Sequence, residues 1–189
     1  MKNGVLFLLI GNSGSGKDSI LNAILSNWSE EITPIKVPKR YITRPSHKTE
    51  PFLSVTPKEF IKMKNNNRFS LTWHIYDLDY GVPKIVEQWL SEGKIVIINV
   101  SRTIIPHARR LFPELKVVFV KVPFEITLAR IKSRGREAEN DEMFKLRVNR
   151  AKKNQNYPDA DIIIDNSGDL QIAVNSLRNY LLSFVQKSE

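Results

Sequence analysis

A glycine-rich segment that directly follows an apolar run constrains this chain more than any other feature of its sequence. The residues of Val5–Ile10 are all apolar, which is typical of a strand buried on both faces of a sheet. The segment after them, GNSGSGK at Gly11–Lys17, fits the G-x-x-x-x-G-K pattern of a phosphate-binding loop. From Lys17 onward, apolar residues recur at helical spacing. Strand, loop and helix in this order predict an α/β fold in which helices flank a parallel sheet.

The predicted loop should bind the phosphates of a nucleotide, with ATP as the expected donor. Its glycines let backbone N–H groups point at a phosphate, and the helix N-terminus adds a partial positive charge. Lys17 is expected to reach the β- and γ-phosphates. A glycine-rich turn without a ligand is the alternative, and such a turn would not need Lys17. The residues predicted to bind the nucleotide are Gly11, Asn12, Ser13, Gly14, Ser15, Gly16, Lys17, Asp18 and Ser19.

One position departs from the usual loop pattern. Where Ser or Thr normally follows the lysine and ligates magnesium, this chain has Asp18. The apolar strand predicted at Ile95–Val100 has Asn99 near its end and offers no carboxylate. Because an Asp carboxylate is a hard oxygen ligand, Asp18 is the predicted Mg²⁺ ligand. The alternative, which the sequence leaves open, is that Asp18 only stabilises the first turn of the helix through its negative charge.

Composition narrows the class of protein. The chain has 29 Lys and Arg against 20 Asp and Glu, a net charge of +9, which predicts an anionic ligand. It has no cysteine, so disulfides and thiolate chemistry are excluded. Its apolar runs are too short for a signal peptide or a membrane span, and it lacks an aromatic-interleaved basic strand typical of RNA binding. We therefore expect a cytoplasmic protein with no membrane or nucleic-acid partner.

Apolar patterns predict the remaining elements. Strands are expected at Ile95–Val100, Lys116–Val122 and Asp161–Asp165, and a helix at about Phe124–Ser133. Two more helices are expected: one with Val82, Ile85, Val86, Trp89 and Leu90 on one face and Pro83 in its first turn, and a last one with Val174, Leu177, Leu181, Phe184 and Val185 on one side.

Residues 130–153 form the most basic part of the chain. The arginines concentrate around Arg134-Gly135-Arg136, where the glycine allows a hinge. This pattern predicts a mobile lid, and the alternative is a solvated helix face.

Several strings of residues recur in the order found in guanylate kinase-like proteins. They are Gly11–Lys17, Thr43-Arg44-Pro45, Trp73, Tyr80-Gly81, Arg134-Gly135-Arg136 and Arg147. The chain thus resembles these proteins over nearly its whole length. The resemblance implies a P-loop fold of the nucleoside-monophosphate-kinase type in a single domain, 1–189. It implies a core of residues 1–33, 82–129 and 154–189, an acceptor-binding insertion at 34–81 and an Arg-rich lid at 130–153.

Within that superfamily the chain is most similar to the ribose 1,5-bisphosphate phosphokinase family of phosphonate metabolism. The matching strings are Gly14–Ser19, Arg40–Pro45, Trp73-His74, Tyr80-Gly81-Val82, Asn99 with Ser101-Arg102, and Arg134–Glu137. The resemblance implies transfer of the ATP γ-phosphoryl group to the C1 phosphate of ribose 1,5-bisphosphate, with Mg²⁺. The products would be 5-phosphoribosyl 1-diphosphate and ADP, made by a monomer or homodimer.

Departures from guanylate kinases favour an acceptor without a base. Thr72 stands where those enzymes have a Glu that reads guanine, and Asn99 where they have an acidic residue. Phe52 replaces a tyrosine, while Arg40 replaces a serine and adds a cation. Losing groups that read a base by hydrogen bonds should abolish the preference for guanine. A kinase for GMP or another nucleoside monophosphate is the alternative, and the intact loop disfavours a non-catalytic module.

The resemblance assigns roles to the remaining side chains. Arg40, Arg44 and Arg102 would bind acceptor phosphates, and Thr72, His74, Tyr80 and Asn99 would complete the acceptor site. Lys17, Arg134, Arg136 and Arg147 would act on the triphosphate as the lid closes. A surface imidazole at His74 and a core-edge aromatic at Tyr80 are the alternatives for those two residues.

Overall fold

The computed structural model of the protein describes residues 4–29, 32–45, 52–133 and 141–185. In this part of the chain the strands are β1 (Val5–Ile10), β2 (Ile35–Lys36), β3 (Arg40–Ile42), β4 (Phe52–Ser54), β5 (Phe69–Ile75), β6 (Leu78–Pro83), β7 (Ile95–Asn99), β8 (Lys116–Lys121) and β9 (Ile162–Asp165). The helices are α1 (Lys17–Ser26), α2 (Pro57–Asn65), α3 (Ile85–Ser91), α4 (Ile105–Leu111), α5 (Phe124–Ser133), α6 (Glu142–Lys153) and α7 (Leu170–Leu182), with a 3₁₀ turn at Arg102–Ile104.

A five-stranded sheet in the order β2-β7-β1-β8-β9 confirms the predicted α/β class. The β2/β7 and β8/β9 pairs are parallel, in registers that include Ile35 opposite Ile95 and Phe119 opposite Ile163. The inner strands β1, β7 and β8 are almost wholly buried, which is why they read as continuous apolar runs in the sequence. The phosphate loop leaves the end of β1, the central strand.

A second sheet has four strands in the order β4-β3-β6-β5. Strands β5 and β6 form an antiparallel hairpin whose turn, Tyr76-Asp77, has φ values of 53° and 56°. Two consecutive left-handed residues are what a two-residue turn needs to match the twist of its strands. Beneath this sheet, Phe60 of α2 stacks on Phe69 of β5 with 4.8 Å between ring centroids.

The prediction that Val82 and Pro83 begin a helix is wrong. Both residues belong to β6, where Val82 pairs with Leu71 and is fully buried, and α3 begins only at Ile85. The spacing of Val82 to the helix residues after it imitates a helical period, but strand pairing on both sides of β6 determines the structure. The last helix is also shorter than predicted, because α7 ends at Leu182, before Phe184.

The chain divides into two compact units, Met1–Phe7 with Thr33–Leu115 and Leu8–Ile32 with Lys116–Glu189. The first unit contains the four-stranded sheet with α2, α3 and α4, and the second contains the phosphate loop with α1, α5, α6 and α7. In the described residues no helix has the length and apolarity to cross a membrane. The functional division into core, acceptor region and lid stays a prediction.

Candidate active site

The phosphate loop connects β1 to α1, and close packing explains its glycines. Gly16 has φ 85° and is the N-cap of α1. A Cβ atom on Gly16 would overlap the side chain of Asn166, and one on Gly11 would lie 2.6 Å from the carbonyl oxygen of Val120. Any side chain at these positions would therefore displace the loop from its support.

Lys17 folds back over the loop. Its ammonium group donates hydrogen bonds to the carbonyl oxygens of Gly11 at 2.9 Å and Asn12 at 3.0 Å, and to Ser15 Oγ at 3.3 Å. The positive charge thus lies at the N-terminus of α1, where the helix dipole also favours an anion. This geometry is a cradle suited to the phosphates of a nucleotide.

Two residues that the sequence analysis missed support the loop from within the same unit. Asn166 follows β9 and is buried, and its Nδ2 donates to the carbonyl oxygen of Ser15 at 2.8 Å. The Arg130 guanidinium donates to the carbonyl oxygens of Asn166 at 3.2 Å and Gly14 at 3.4 Å. These bonds hold two loop carbonyls in place. They join residues 151 and 116 positions apart in the chain, so no local pattern could indicate them.

Asp18 is exposed in the first turn of α1, and Ser19 beside it is also exposed. No cluster of three or more potential acidic or histidine metal ligands occurs in the part of the chain that the structure describes. Magnesium keeps several waters and typically takes only one or two carboxylates, with substrate phosphates supplying other ligands. A single carboxylate beside a phosphate cradle therefore fits Mg²⁺, and its position in the first turn fits the helix-stabilising role as well.

Of the predicted lid residues, the structure describes Arg147. It lies in the middle of α6 and is half-buried. Helices α5 and α6 pack together through an apolar cluster of Ile131, Phe144 and Ala151 with Phe124, Leu128 and Val148. Arg134 and Arg136 lie outside the described residues, so their roles stay predictions.

The first unit carries the residues predicted for the acceptor. In the β5/β6 hairpin, Thr72 lies opposite Gly81, Trp73 opposite Tyr80, and His74 opposite Asp79. The Trp73 and Tyr80 rings stack with centroids 5.1 Å apart. The His74 side chain is exposed to solvent, and its Nδ1 lies 2.9 Å from Asp79 Oδ1.

Alternation along the strands separates the predicted acceptor residues into two groups. Thr72 and His74 share one face of the sheet, whereas Tyr80 lies on the other face with Trp73. Ile42 pairs with Tyr80, so Arg40, two residues before Ile42, is on the Tyr80 face. The structure thus places Arg40 with Tyr80, and Thr72 with His74.

Arg44 follows β3 and lies against an aromatic ring. Its guanidinium carbon is 4.8 Å from the centroid of the Phe52 ring, a cation–π distance. Its carbonyl oxygen accepts a hydrogen bond of 2.6 Å from Ser54 Oγ. Phe52 also lies opposite Arg40 in the β3/β4 register. Phe52, which lacks the hydroxyl of a tyrosine, therefore lies beside Arg40 and Arg44, two of the arginines predicted to bind phosphate.

Asn99 and Arg102 lie at the carboxyl end of β7. Asn99 is the last residue of the strand, and Arg102 begins the 3₁₀ turn. The Ser101 side chain caps this turn by accepting a 3.4 Å hydrogen bond from the backbone of Thr103. The turn packs against β5, so Arg102 begins an element that contacts the strand of Thr72 and His74.

Helices around a parallel sheet, with a lysine-bearing phosphate loop at the end of the central strand, define a P-loop protein of the nucleoside-monophosphate-kinase type. The chain matches the guanylate kinase family over residues 3–183. It belongs to that family and is a kinase.

Curated relatives and a solved structure agree with this family. The ribose 1,5-bisphosphate phosphokinase PhnN of Pectobacterium parmentieri is 34% identical over 183 residues, covering 93% of each chain. The protein of the same name from Thiobacillus denitrificans is 35% identical over 175 residues, covering 92% of this chain and 90% of its own. The crystal structure of guanylate kinase from Anaplasma phagocytophilum has a TM-score of 0.71 at 18% identity, over 99% of this chain and 89% of that one. At this level of sequence identity, the structural similarity supports the assignment of the fold and no assignment of function.

Proposed function

We propose that this chain transfers the γ-phosphoryl group of ATP to the C1 phosphate of ribose 1,5-bisphosphate. The products would be ADP and 5-phosphoribosyl 1-diphosphate. The observation that carries this proposal is the 34–35% identity to ribose 1,5-bisphosphate phosphokinases over 92–93% of the chain. The sequence departures at Thr72 and Arg40 support it, because they exchange a base-reading carboxylate for a phosphate-binding cation.

The proposed reaction requires little acid–base chemistry from the protein. A phosphate monoester has its second pKa near 6 and is mostly a dianion at neutral pH. An oxygen of the C1 phosphate can therefore attack the γ-phosphorus without giving up a proton to a base. The new bond joins that oxygen to phosphorus, and the bond to the β–γ bridging oxygen breaks as ADP leaves. Catalysis then depends on positioning and on neutralising charge.

The cations of the chain supply that positioning. Lys17 holds its ammonium group over the loop and is assigned to the β- and γ-phosphates. Arg40 and Arg44 would bind acceptor phosphates, with Phe52 as a flat support for the Arg44 guanidinium. Arg102 would also bind an acceptor phosphate, with Asn99, Thr72, His74 and Tyr80 contacting the acceptor. Arg134, Arg136 and Arg147 would neutralise the charge that spreads over the transferring group.

Asp18 is the residue proposed to hold Mg²⁺, which supplies charge neutralisation at the phosphates when bound. The loop backbone and Lys17 would bind the phosphates themselves. We further propose that the protein works in the cytoplasm as a monomer or homodimer, without a nucleic-acid partner.

The experiment that tests the proposal identifies the product. Purified protein is incubated with Mg-ATP and ribose 1,5-bisphosphate, and the mixture is followed by ³¹P NMR. We expect a new pair of coupled diphosphate signals from the sugar to rise in equal amount with ADP. Omitting the sugar corrects for ATP hydrolysis. ADP formation without the sugar diphosphate would refute the proposed reaction.

A further inference from the structure

One side chain of the phosphate loop binds the end of a helix that is distant in the sequence. Asn12 Nδ2 donates to the carbonyl oxygen of Ala151 at 3.2 Å and to that of Asn154 at 3.1 Å. Ala151 is in the last turn of α6, and Asn154 is the C-cap residue of that helix. Both bonds lie within the second compact unit.

These bonds act where a helix is weakest. The last carbonyl groups of a helix have no partner within it and must find donors elsewhere. Asn12 supplies donors for two carbonyls at this end, and the Gln155 side chain also donates to Ala151. The α6 C-terminal turn is thus held in part by a residue of the phosphate loop.

The backbone of Asn12 contacts the lysine of the phosphate loop at the same time. Its carbonyl oxygen accepts a 3.0 Å hydrogen bond from the Lys17 ammonium. Arg147, assigned above to the triphosphate, lies four residues before Ala151 on α6, about 6 Å along the helix axis. Asn12 therefore connects the lysine of the loop to the helix that carries Arg147.

We propose that Asn12 is a positioning residue that transmits occupation of the loop by phosphate to α6 and so sets the position of Arg147. A phosphate bound by the loop N–H groups orders the backbone of Asn12, and its side chain then restrains the last turn of α6. The role of Arg147 in this scheme rests on the proposed function. The link between loop and helix rests on the hydrogen bonds of Asn12 to Ala151 and Asn154 and does not depend on that function.

Amide hydrogen exchange tests the link without any acceptor. In the wild-type protein, Mg-ADP should slow exchange at the amides of residues 151–154 by about three- to tenfold, the effect of roughly one net hydrogen bond. The Asn12→Ala variant should bind Mg-ADP and lose that slowing. Asn27→Ala is the matched control, because Asn27 Nδ2 donates to Ala23 at the end of α1, at 2.9 Å, in the same manner. This control should keep the slowing at α6.

The proposal is overturned if Mg-ADP leaves α6 exchange unchanged in the wild type, or slows it equally in Asn12→Ala. If Asn12→Ala fails to fold or to bind Mg-ADP, Asn12→Leu, which keeps the shape without a donor, takes its place. Failure of both variants to bind would assign Asn12 to the loop alone and would also overturn the link to α6.

A double-mutant cycle tests the connection to Arg147. If Asn12 acts through Arg147, Asn12→Ala lowers kcat/KM for ATP, and adding it to Arg147→Ala causes no further loss. A merely structural role would give losses that multiply. A wild type that shows the exchange effect but does not phosphorylate the sugar refutes the proposed function only. An active wild type without the exchange effect refutes this inference only.

Discussion

Three hydrogen bonds to loop atoms hold the ammonium group of Lys17 in place over the phosphate loop. We predict that Lys17→Ala lowers kcat about 10²- to 10³-fold, the usual loss for one donor that contacts a developing charge. Steady-state ADP release measures the effect, and circular dichroism should show an unchanged fold. Lys58→Ala, at an exposed position of α2, should be fully active. A Lys17→Ala variant with normal turnover would refute the phosphate-binding assignment.

Asp18 has two possible roles, which one substitution separates. If Asp18 ligates magnesium, Asp18→Asn raises the Mg²⁺ concentration needed for half-maximal rate, because a charged oxygen ligand is lost. If it only stabilises α1, the variant loses about 0.3–1 kcal/mol of stability and keeps the wild-type magnesium curve. A magnesium titration of ADP release, with a thermal melt of each protein, decides between them.

Among single residues, those of the phosphate loop could be predicted from the sequence, whereas the residues that support the loop could not. Gly11–Lys17 is a continuous segment with a fixed spacing, so its chemistry can be inferred from neighbouring residues. Arg130 and Asn166 reach the loop only through the fold. The shared face of Thr72 and His74 and the stacking of Tyr80 on Trp73 likewise depend on strand register, which no pattern in the sequence assigned.

Among the elements, the connection from β9 to α7 supports the phosphate loop through Asn166. We predict that Asn166→Ala costs about 1–3 kcal/mol, because a buried carbonyl of Ser15 loses its donor, and that the KM for ATP rises. Urea unfolding and ATP kinetics measure the two effects. Asn179→Ala, at an exposed position of α7, is the control. A destabilised variant with unchanged ATP kinetics would show that the loop does not need this support.

The capping box of α2 makes the stability of the first unit depend on pH. Glu59 Oε2 accepts hydrogen bonds from the backbone N–H and the hydroxyl of Thr56, both at 2.8 Å. These bonds, the backbone one first, hold the pKa of Glu59 below its ordinary value. Because the folded-state pKa is lowered, the stabilisation is fully present above the unfolded-state pKa of about 4.3. It is lost as the pH falls through the lower folded value.

We therefore predict that Glu59→Gln lowers the Tm at pH 7, and that its difference from wild type shrinks as the pH falls below about 4.3. Thermal melts from pH 7 to pH 3 measure this change. Glu114→Gln removes an exposed carboxylate outside the helices and serves as the control. A difference that stays constant with pH would contradict the assignment to Glu59.

The strands that the sequence predicted correctly are those formed by continuous runs of apolar residues. Strands β1, β7 and β8 are buried on both faces, and their apolar runs need no knowledge of neighbours. The β5/β6 hairpin was missed, although Leu71 and Trp73 alternate with Thr72 and His74. The position of Val82 fits both a helical period and a strand. Its pairing with Leu71 assigns it to the strand β6.

For the molecule as a whole, membership of the guanylate kinase family determines the chemistry but leaves the acceptor to be tested. The net charge of +9 suits a reaction between two anionic substrates. The departures at Arg40, Phe52 and Thr72 all lie in the four-stranded sheet of the first unit. The loop at Gly11–Lys17 connects β1 to α1 and ends at the first residue of that helix, and it carries no information about the acceptor.

The proposed choice of acceptor is tested most directly by measuring ADP release with Mg-ATP when ribose 1,5-bisphosphate, GMP and AMP are offered in parallel. We predict turnover with the sugar bisphosphate and none with GMP or AMP at millimolar concentration. That result would connect the loss of a base-reading carboxylate at Thr72 and the gain of Arg40 to a change of acceptor. Turnover with GMP and not with the sugar would contradict the proposed acceptor, and would mean that this chain keeps the nucleotide acceptor of its family.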